Sequence, residues 1–181
     1  MGGPSAPALV VLGGLPGVGK STVARALLAQ WQAVYLRIDT IEQALRDCGV
    51  GVGTAGYRVA YALARTQLAQ SLPVLVDGVN PLPVTREAWH SVARGVPVPW
   101  LDVEVVCSDL AEHQRRVETR SSDIPGLTPP RWHAVQQHDY APWPASQAAR
   151  CVVDTARLAP EQVAAEVLAA LRRRQLDTSG E

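Results

Sequence analysis

A glycine-rich segment near the start of the chain has the residue types and the spacing that phosphate binding needs. It fits the pattern G-x-x-x-x-G-K-S/T and consists of Gly14, Leu15, Pro16, Gly17, Val18, Gly19, Lys20, Ser21 and Thr22. Glycines let the backbone turn so that successive N–H groups point at phosphate oxygens, and the N-terminus of a following helix faces the same anion. Lys20 can reach the β- and γ-phosphates, and the Ser21 hydroxyl can ligate Mg²⁺. We therefore predict that this segment binds ATP together with Mg²⁺.

Two aspartates follow short apolar runs that are typical of buried strands. Asp39 comes directly after residues 34–38, and Asp77 ends the run that begins at Pro73. In open α/β sheets the carboxyl ends of the strands face the ligand crevice. Asp39 is predicted to orient or accept the proton of an attacking hydroxyl, with an N-cap of the next helix as the alternative. Asp77 is predicted to hold Mg²⁺, with a capping or turn aspartate as the alternative.

Three further polar residues are candidates for contact with a substrate. Asn80 and Arg86 follow Asp77 near the same predicted sheet edge, and Arg58 comes just after a glycine-rich connection at residues 49–56. For either arginine the alternative is a salt bridge to a neighbouring helix.

Two arginines on one predicted helix indicate a lid. Arg116 and Arg120 are four residues apart, so they share a helix face that leads into a loop rich in proline and glycine at residues 121–130. A lid over about residues 116–140 would close on ATP and stabilise charge on the transferring phosphoryl group. The alternative is a solvated face in which the arginines pair with Glu112 or Glu118.

The elements that must position these residues alternate between strands and helices. Apolar runs predict five strands at residues 8–12, 34–38, 73–77, 101–107 and 150–154. The segments between them have helical spacing of apolar residues. This alternation predicts an α/β fold, a three-layer sandwich in which helices flank a five-stranded, mainly parallel sheet. We expect residues 1–181 to form one domain with a small mobile lid.

The composition excludes several classes of function. The 181 residues contain 17 Lys plus Arg and 17 Asp plus Glu, so the net charge is zero, which argues against nucleic acid or a membrane surface as a partner. The three cysteines are far apart and the four histidines lack metal-ligand spacing. No signal-peptide pattern or membrane span stands out, and we expect a cytoplasmic protein.

The motifs together resemble those of the small P-loop kinases of the AAA-type superfamily. The segments that carry the resemblance are residues 14–22, 38–39, 76–80, 116–120 and 153–155. Within that group the chain is most similar to the chloramphenicol phosphotransferases and more distantly similar to the kinase domain of polynucleotide kinases.

The resemblance implies an ATP·Mg²⁺ donor and transfer of the γ-phosphate to a hydroxyl. It also implies that Asp39 is the aspartate facing the substrate hydroxyl and that Arg116 and Arg120 are the lid arginines. Shikimate-kinase-like enzymes carry two aspartates where this chain has Arg37, Ile38 and Asp39. That difference argues against shikimate as the acceptor.

Three hypotheses for the function follow. The first is an ATP-dependent kinase that acts on a hydroxyl of a small molecule, either a metabolite or an antibiotic. The second is a kinase for the 5′-hydroxyl of a nucleotide or nucleic acid. The third is a nucleotide-dependent switch without an acceptor, against which the absence of a glutamate next to Asp77 argues.

Overall fold

Five parallel strands form the sheet at the centre of the computed structural model, which describes residues 6–144 and 150–179. The order across this sheet is β2-β3-β1-β4-β5. The strands are β1 (Leu9–Gly13), β2 (Val34–Arg37), β3 (Val74–Asp77), β4 (Trp100–Val106) and β5 (Arg150–Asp154). The five-stranded sheet predicted from the sequence is therefore confirmed, and within the described residues it is entirely parallel.

Helices cover both faces of the sheet. They are α1 (Lys20–Leu28), α2 (Ile38–Asp47), α3 (Ala55–Ala69), α4 (Pro83–Gly95), α5 (Leu110–Thr119), α6 (Trp132–Gln136) and α7 (Pro160–Ser179). Alternate side chains of β1 enter two separate apolar clusters, because successive residues of a strand point to opposite faces. Val10 and Leu12 pack with α1 and α7, whereas Leu9 and Val11 pack with α3 and α4. The predicted three-layer sandwich is confirmed.

The strand order creates a crevice at the carboxyl edge of the sheet. The chain leaves β1 through α1 to β2 on one side, and β4 lies on the other side of β1. Ligands of open α/β sheets bind where the connections diverge in this way. The register places Asp77 beside both Leu12 and Arg37, so the ends of β1, β2 and β3 meet at this crevice.

A buried ion pair holds α4 against β4 on the side of the sheet away from the crevice. His90 Nε2 lies 2.6 Å from Oδ2 of Asp102, a fully buried residue of β4, and His90 Nδ1 lies 3.2 Å from Glu87 Oε2. Burial by itself lowers the pKa of His90, but the hydrogen bond and the charge of Asp102 outweigh it and raise this pKa. This histidine has a structural role.

The raised pKa of His90 makes part of the stability depend on pH. A histidine whose pKa is higher in the folded than in the unfolded chain stabilises the fold below its ordinary pKa of about 6.5. That contribution disappears as the pH rises through the folded-state pKa. We expect the free energy of unfolding of wild type minus that of His90→Gln to be largest near about pH 5.5 and to shrink by about pH 8.5, measured by urea denaturation. A difference that grows with pH would contradict this ion pair.

Candidate functional site

The loop between β1 and α1 has a backbone conformation that its glycines permit. Gly14, Gly17 and Gly19 have φ angles of 146°, 88° and 101°, in the region that favours glycine. A Cβ on Gly14 would collide with the carbonyl oxygen of Val105, and a Cβ on Gly17 would collide with Val117. The loop is therefore closely surrounded, and glycine is required at these positions by both torsion and space.

Lys20 lies at the centre of this loop. Its Nζ donates hydrogen bonds to the carbonyl oxygens of Gly14 at 2.8 Å and Leu15 at 3.0 Å. Burial lowers the pKa of the Lys20 ammonium, and the carboxylates of Asp77 and Asp39 act in the opposite direction. The ammonium thus lies inside the loop, where a phosphate could replace the two carbonyls as its partner.

Asp77 forms the polar floor of the crevice at the end of β3. It is 3% exposed, and its Oδ2 accepts hydrogen bonds from Ser21 Oγ and from the Tyr35 hydroxyl, both at 2.7 Å. Arg37 Nε lies 4.0 Å from the same oxygen. A hydroxyl and a carboxylate oxygen side by side at the end of the phosphate loop are hard oxygen ligands, and they fit Mg²⁺.

Tyr35 is a part of this arrangement that the sequence analysis missed. Burial raises the pKa of its hydroxyl, and the neighbouring Asp77 raises it further, so Tyr35 is a stable hydrogen-bond donor. Tyr35 and Arg37 are two residues apart on β2, and Arg37 lies beside Asp77 in the register. Residues two apart on a strand lie on the same face, so the spacing of Tyr35 and Arg37 is the sequence signal that could have identified Tyr35.

A cavity of about 560 Å³ unites most of the predicted site residues. Of the predicted set its wall contains Pro16, Gly17, Gly19, Lys20, Ser21, Thr22, Asp39, Asp77, Arg116 and Arg120. The wall also contains six polar residues that the sequence analysis did not assign to a site, which are Arg25, Arg37, Thr119, Ser121, Asp123 and Thr155. The phosphate loop, both aspartates and both lid arginines therefore face one space.

Asp39 faces the cavity from the first turn of α2. The strand predicted over residues 34–38 ends at Arg37, and the helix begins at once at Ile38. The residue at the N-cap is Arg37, and no side chain caps this helix, so the alternative role of Asp39 as a helix cap is wrong. Asp39 is exposed and has no hydrogen bond to any residue that the structure describes. Its carboxylate is thus available to a ligand.

Arg116 joins α5 to the turn after β5. Its Nε donates to Glu112 Oε1 at 2.7 Å, and its terminal nitrogens donate to Thr155 Oγ1 at 2.8 Å and to the Thr155 carbonyl at 3.1 Å. Thr155 in turn donates to the Val18 carbonyl of the phosphate loop at 2.7 Å. The predicted pairing with Glu112 is therefore present, and it coexists with a place in the cavity wall.

Arg120 differs from Arg116 in having no such partners. It follows α5 directly, it is exposed, and no residue within the described ranges gives it a hydrogen bond or an ion pair. Desolvation lowers the pKa of its guanidinium, while the charge of Asp39 raises it. Arg120, directly after α5, and Asp39, in the first turn of α2, thus line the same cavity.

The predicted lid loop rests on α2 in this structure. Asp123 accepts two hydrogen bonds from Arg37, at 2.8 and 2.9 Å. Ile124 is buried, and Gly126 lies against the side chain of Gln43. This loop therefore closes the side of the cavity next to Asp39.

Trp132, Tyr140 and Trp143 pack against other residues and do not line the main cavity. Trp132 contacts the ring of His113 edge-on, with ring centroids 5.0 Å apart. Trp143 is 5% exposed, it covers Gly13, and its Nε1 donates to the Tyr140 hydroxyl at 2.6 Å. Packing, rather than a pocket wall, is thus the role of Trp143 and Tyr140.

Asn80 and Arg86 are buried outside the cavity wall, which corrects the expectation that they contact substrate. Asn80 is fully buried, donates to the Leu12 carbonyl at 2.8 Å and accepts from Trp89 Nε1 at 2.9 Å. Arg86 is 3% exposed, donates to four backbone carbonyls and lies 4.7 Å from the centre of the Trp143 ring. Both side chains have their polar groups engaged in packing.

Arg58 is likewise not brought to the cavity. It is exposed on α3, and its substrate contact stays a prediction.

Two features are absent from residues 6–144 and 150–179. These residues contain no group of three or more His, Cys, Asp or Glu side chains that could hold a metal ion. None of their helices is long and apolar enough to cross a membrane.

Comparisons with known sequences agree with the motifs. A family profile described as an AAA domain matches residues 9–142. Uncharacterized proteins of Mycobacterium tuberculosis and Mycobacterium bovis are 34% identical over 85 residues, which cover 39% of this chain. The match spans 17% of the length of those relatives.

Comparisons with solved structures show the fold. A kinase-titled structure from Chloroflexus aurantiacus has a TM-score of 0.73 at 21% identity and covers 92% of this chain and 100% of its own. A gluconokinase from Sinorhizobium meliloti has a TM-score of 0.68 at 19% identity, covering 94% and 95%. The APS kinase of Mycobacterium tuberculosis, solved with AMPPNP and APS, has a TM-score of 0.67 at 20% identity, covering 93% and 99%.

The packing role of Asn80 leads to a test of stability. Asn80→Ala leaves the Leu12 carbonyl and the Trp89 indole N–H buried without their partner, so we expect a loss of about 2 to 4 kcal/mol in the free energy of unfolding. Val84→Ala is the control, because Val84 is 70% exposed and its loss should change stability by less than about 0.5 kcal/mol. Urea denaturation measures both. Equal stabilities of the two variants would refute the packing role.

Proposed function

Because the chain belongs to the AAA domain family, with a match over residues 9–142, we propose that it is an ATP-dependent phosphotransferase. It moves the γ-phosphate of ATP to a hydroxyl of a small molecule. The observation that carries this proposal is one cavity in which a complete phosphate loop faces Asp39, a carboxylate without a hydrogen-bond partner among the described residues.

The nucleotide side of the proposal rests on the loop and on Asp77. The backbone N–H groups of Gly17 and Gly19 and the N-terminus of α1 would bind the phosphates, and Lys20 would exchange its two carbonyl partners for phosphate oxygens. Ser21 and Asp77 would hold Mg²⁺, which neutralises charge on the phosphates when it is bound.

The acceptor side of the proposal rests on Asp39 and Arg120. As the acceptor oxygen bonds to the γ-phosphorus, the bond from phosphorus to the leaving oxygen of ADP breaks, and the hydroxyl proton passes to Asp39. Arg120, directly after α5, would stabilise the charge on the transferring phosphoryl group. Arg116 would support this lid through Thr155. We propose that a lid over about residues 116–140 closes on this site within one domain of residues 1–181.

Small-molecule acceptors are supported by the names of the structural relatives. Their titles name a gluconokinase and an APS kinase, both of which share this fold. The net charge of zero supports a small acceptor over a polymer of phosphates. An antibiotic of the chloramphenicol type is one acceptor to screen. We place the reaction in the cytoplasm, consistent with the free thiols of Cys48, Cys107 and Cys151.

The reaction can be tested by a screen for acceptor-dependent release of ADP. Sugars, sugar acids, nucleosides, hydroxyl-bearing antibiotics and oligonucleotides with a free 5′-hydroxyl form the panel, and Lys20→Ala is the inactive control. For the acceptor found, Asp39→Asn should lower kcat by roughly 10² to 10⁴, because it removes the positioned base. The Kd for Mg·AMPPNP should stay unchanged. Equal loss of nucleotide binding and turnover would instead place Asp39 at the metal.

The different surroundings of the two lid arginines predict different phenotypes. Arg120→Ala should lower kcat by on the order of 10² and leave the Tm of the ligand-free protein unchanged, because Arg120 has no hydrogen-bond or ion-pair partner among the described residues. Arg116→Ala should lower both kcat and the Tm. The Tm falls because the substitution breaks three hydrogen bonds.

The matched control for these variants is Arg115→Ala. Arg115 is an exposed residue of the same helix, and its side chain donates hydrogen bonds only to Glu112 among the described residues. It should change neither kcat nor the Tm by a measurable amount. A normal kcat in Arg120→Ala would remove that residue from the site.

A further inference from the structure

Arg37 is a cationic group of the cavity wall to which the proposed phosphoryl transfer assigns no role. It is the last residue of β2 and lies two residues before Asp39, so the two Cα atoms are at most about 7 Å apart. An acceptor hydroxyl at Asp39 would therefore have the guanidinium of Arg37 within the length of one small molecule.

The guanidinium of Arg37 already binds a carboxylate in this structure. Asp123 supplies it from the lid loop, with both of its oxygens within 2.9 Å of one terminal nitrogen of Arg37. The Arg37 side chain is 17% exposed, whereas that of Asp123 is 56% exposed. Arg37 Nε is buried and has no hydrogen-bond partner among the described residues, although Asp77 lies 4.0 Å away. The cation is thus embedded, and its present anion is half in solvent.

The partner of Arg37 is exchangeable on physical grounds. The lid loop has contacts other than the ion pair with Arg37, because Ile124 is buried and Gly126 lies against Gln43 of α2. Ion pairs with a solvent-exposed member contribute little to stability, so losing the Asp123 contact costs the fold little. Guanidinium groups match the shape of both carboxylates and phosphates, so either anion could take the place of Asp123.

The charges around the acceptor space favour such an exchange. Asp39 is suited to a hydroxyl, and of the four arginines in the cavity wall outside the phosphate loop (Arg25, Arg37, Arg116 and Arg120) Arg37 is only two residues from it along the chain. A neutral polyol has no anionic group that could pair with Arg37. An acceptor with its own anionic group would bind Arg37 and release Asp123 to solvent.

We propose that Arg37 binds a carboxylate or phosphate group of the acceptor and that Asp123 occupies this position until the acceptor displaces it. The acceptor is then a small anionic alcohol, in which the hydroxyl and the anionic group are a few bonds apart. That the bound molecule is the acceptor of the phosphoryl group rests on the proposed function. The binding of an anion at Arg37 does not, because it can be measured without turnover.

The first experiment measures the anion site directly in the full chain. Asp123→Ala removes the carboxylate that Arg37 binds. Acetate or inorganic phosphate is then titrated into the variant, and binding is followed by NMR chemical shifts. We expect one of the two anions to bind at least roughly tenfold more tightly to Asp123→Ala than to the double variant Asp123→Ala/Arg37→Gln. Phosphate bound at the phosphate loop is common to both variants and does not affect the comparison. Tighter acetate indicates a hydroxy acid, and tighter phosphate a phosphorylated alcohol.

The second experiment compares alcohols that differ in charge alone. D-Gluconate with D-glucitol, and D-glucose 6-phosphate with D-glucose, are added to the acceptor screen as matched pairs. For a charged acceptor, Arg37→Gln should raise KM by roughly tenfold and leave the Kd for Mg·AMPPNP unchanged. Asp123→Asn should lower the same KM, because it removes the competitor, and this effect should vanish in the Arg37→Gln background. Arg46→Gln, which removes an exposed arginine of α2 that pairs with Glu42, is the control.

Three results separate this inference from the proposed function. Equal anion binding by the two variants of the titration overturns the inference. A neutral acceptor that turns over as well as its charged counterpart, with no effect of Arg37→Gln, also overturns it and leaves the phosphotransferase in place. Binding that depends on Arg37, without ADP release for any alcohol, supports the anion site and contradicts the proposed function.

Discussion

The buried carboxylate of Asp77 is the constraint on which the arrangement of this site depends. A charge that is 3% exposed needs polar partners, and Asp77 receives hydrogen bonds from Ser21 and Tyr35. These partners come from α1 and β2, so one oxygen of β3 fixes the positions of the phosphate loop and of β2. Arg37, 4.0 Å away, is held on the cavity side of the same group. The oxygens proposed to hold Mg²⁺ and the wall of the proposed acceptor space are therefore parts of one polar cluster.

The phosphate loop is also held from the side of the lid. His113 of α5 lies with Nε2 2.9 Å from the Pro16 carbonyl, and Val117 lies against Gly17. Thr155 connects the loop to Arg116 of the same helix. A movement of α5 would therefore change both the packing and the hydrogen bonds of the phosphate loop. In the proposed mechanism, this arrangement would link closure of the lid to the conformation of the phosphate loop.

Residues with the same sequence signal took different places in the structure. Asn80 and Arg86 follow Asp77 just as a substrate-binding pair would, yet Asn80 connects β1 to Trp89, and Arg86 closes over backbone carbonyls. Arg37 was passed over because an arginine at the end of a strand has no motif of its own.

The sequence by itself determined the phosphate loop, the five strands and the placing of Asp39 and Asp77 at one edge of the sheet. These features follow from local rules, because glycine torsions, buried apolar runs and parallel strand ends need no knowledge of distant contacts. Only the tertiary structure decided which polar side chains face the cavity. That choice depends on partners far away in the chain, such as Asp123 for Arg37 and Thr155 for Arg116. Such partners either occupy the polar groups of a side chain or position it in the cavity. Spacing along the chain does not encode which of these two outcomes occurs.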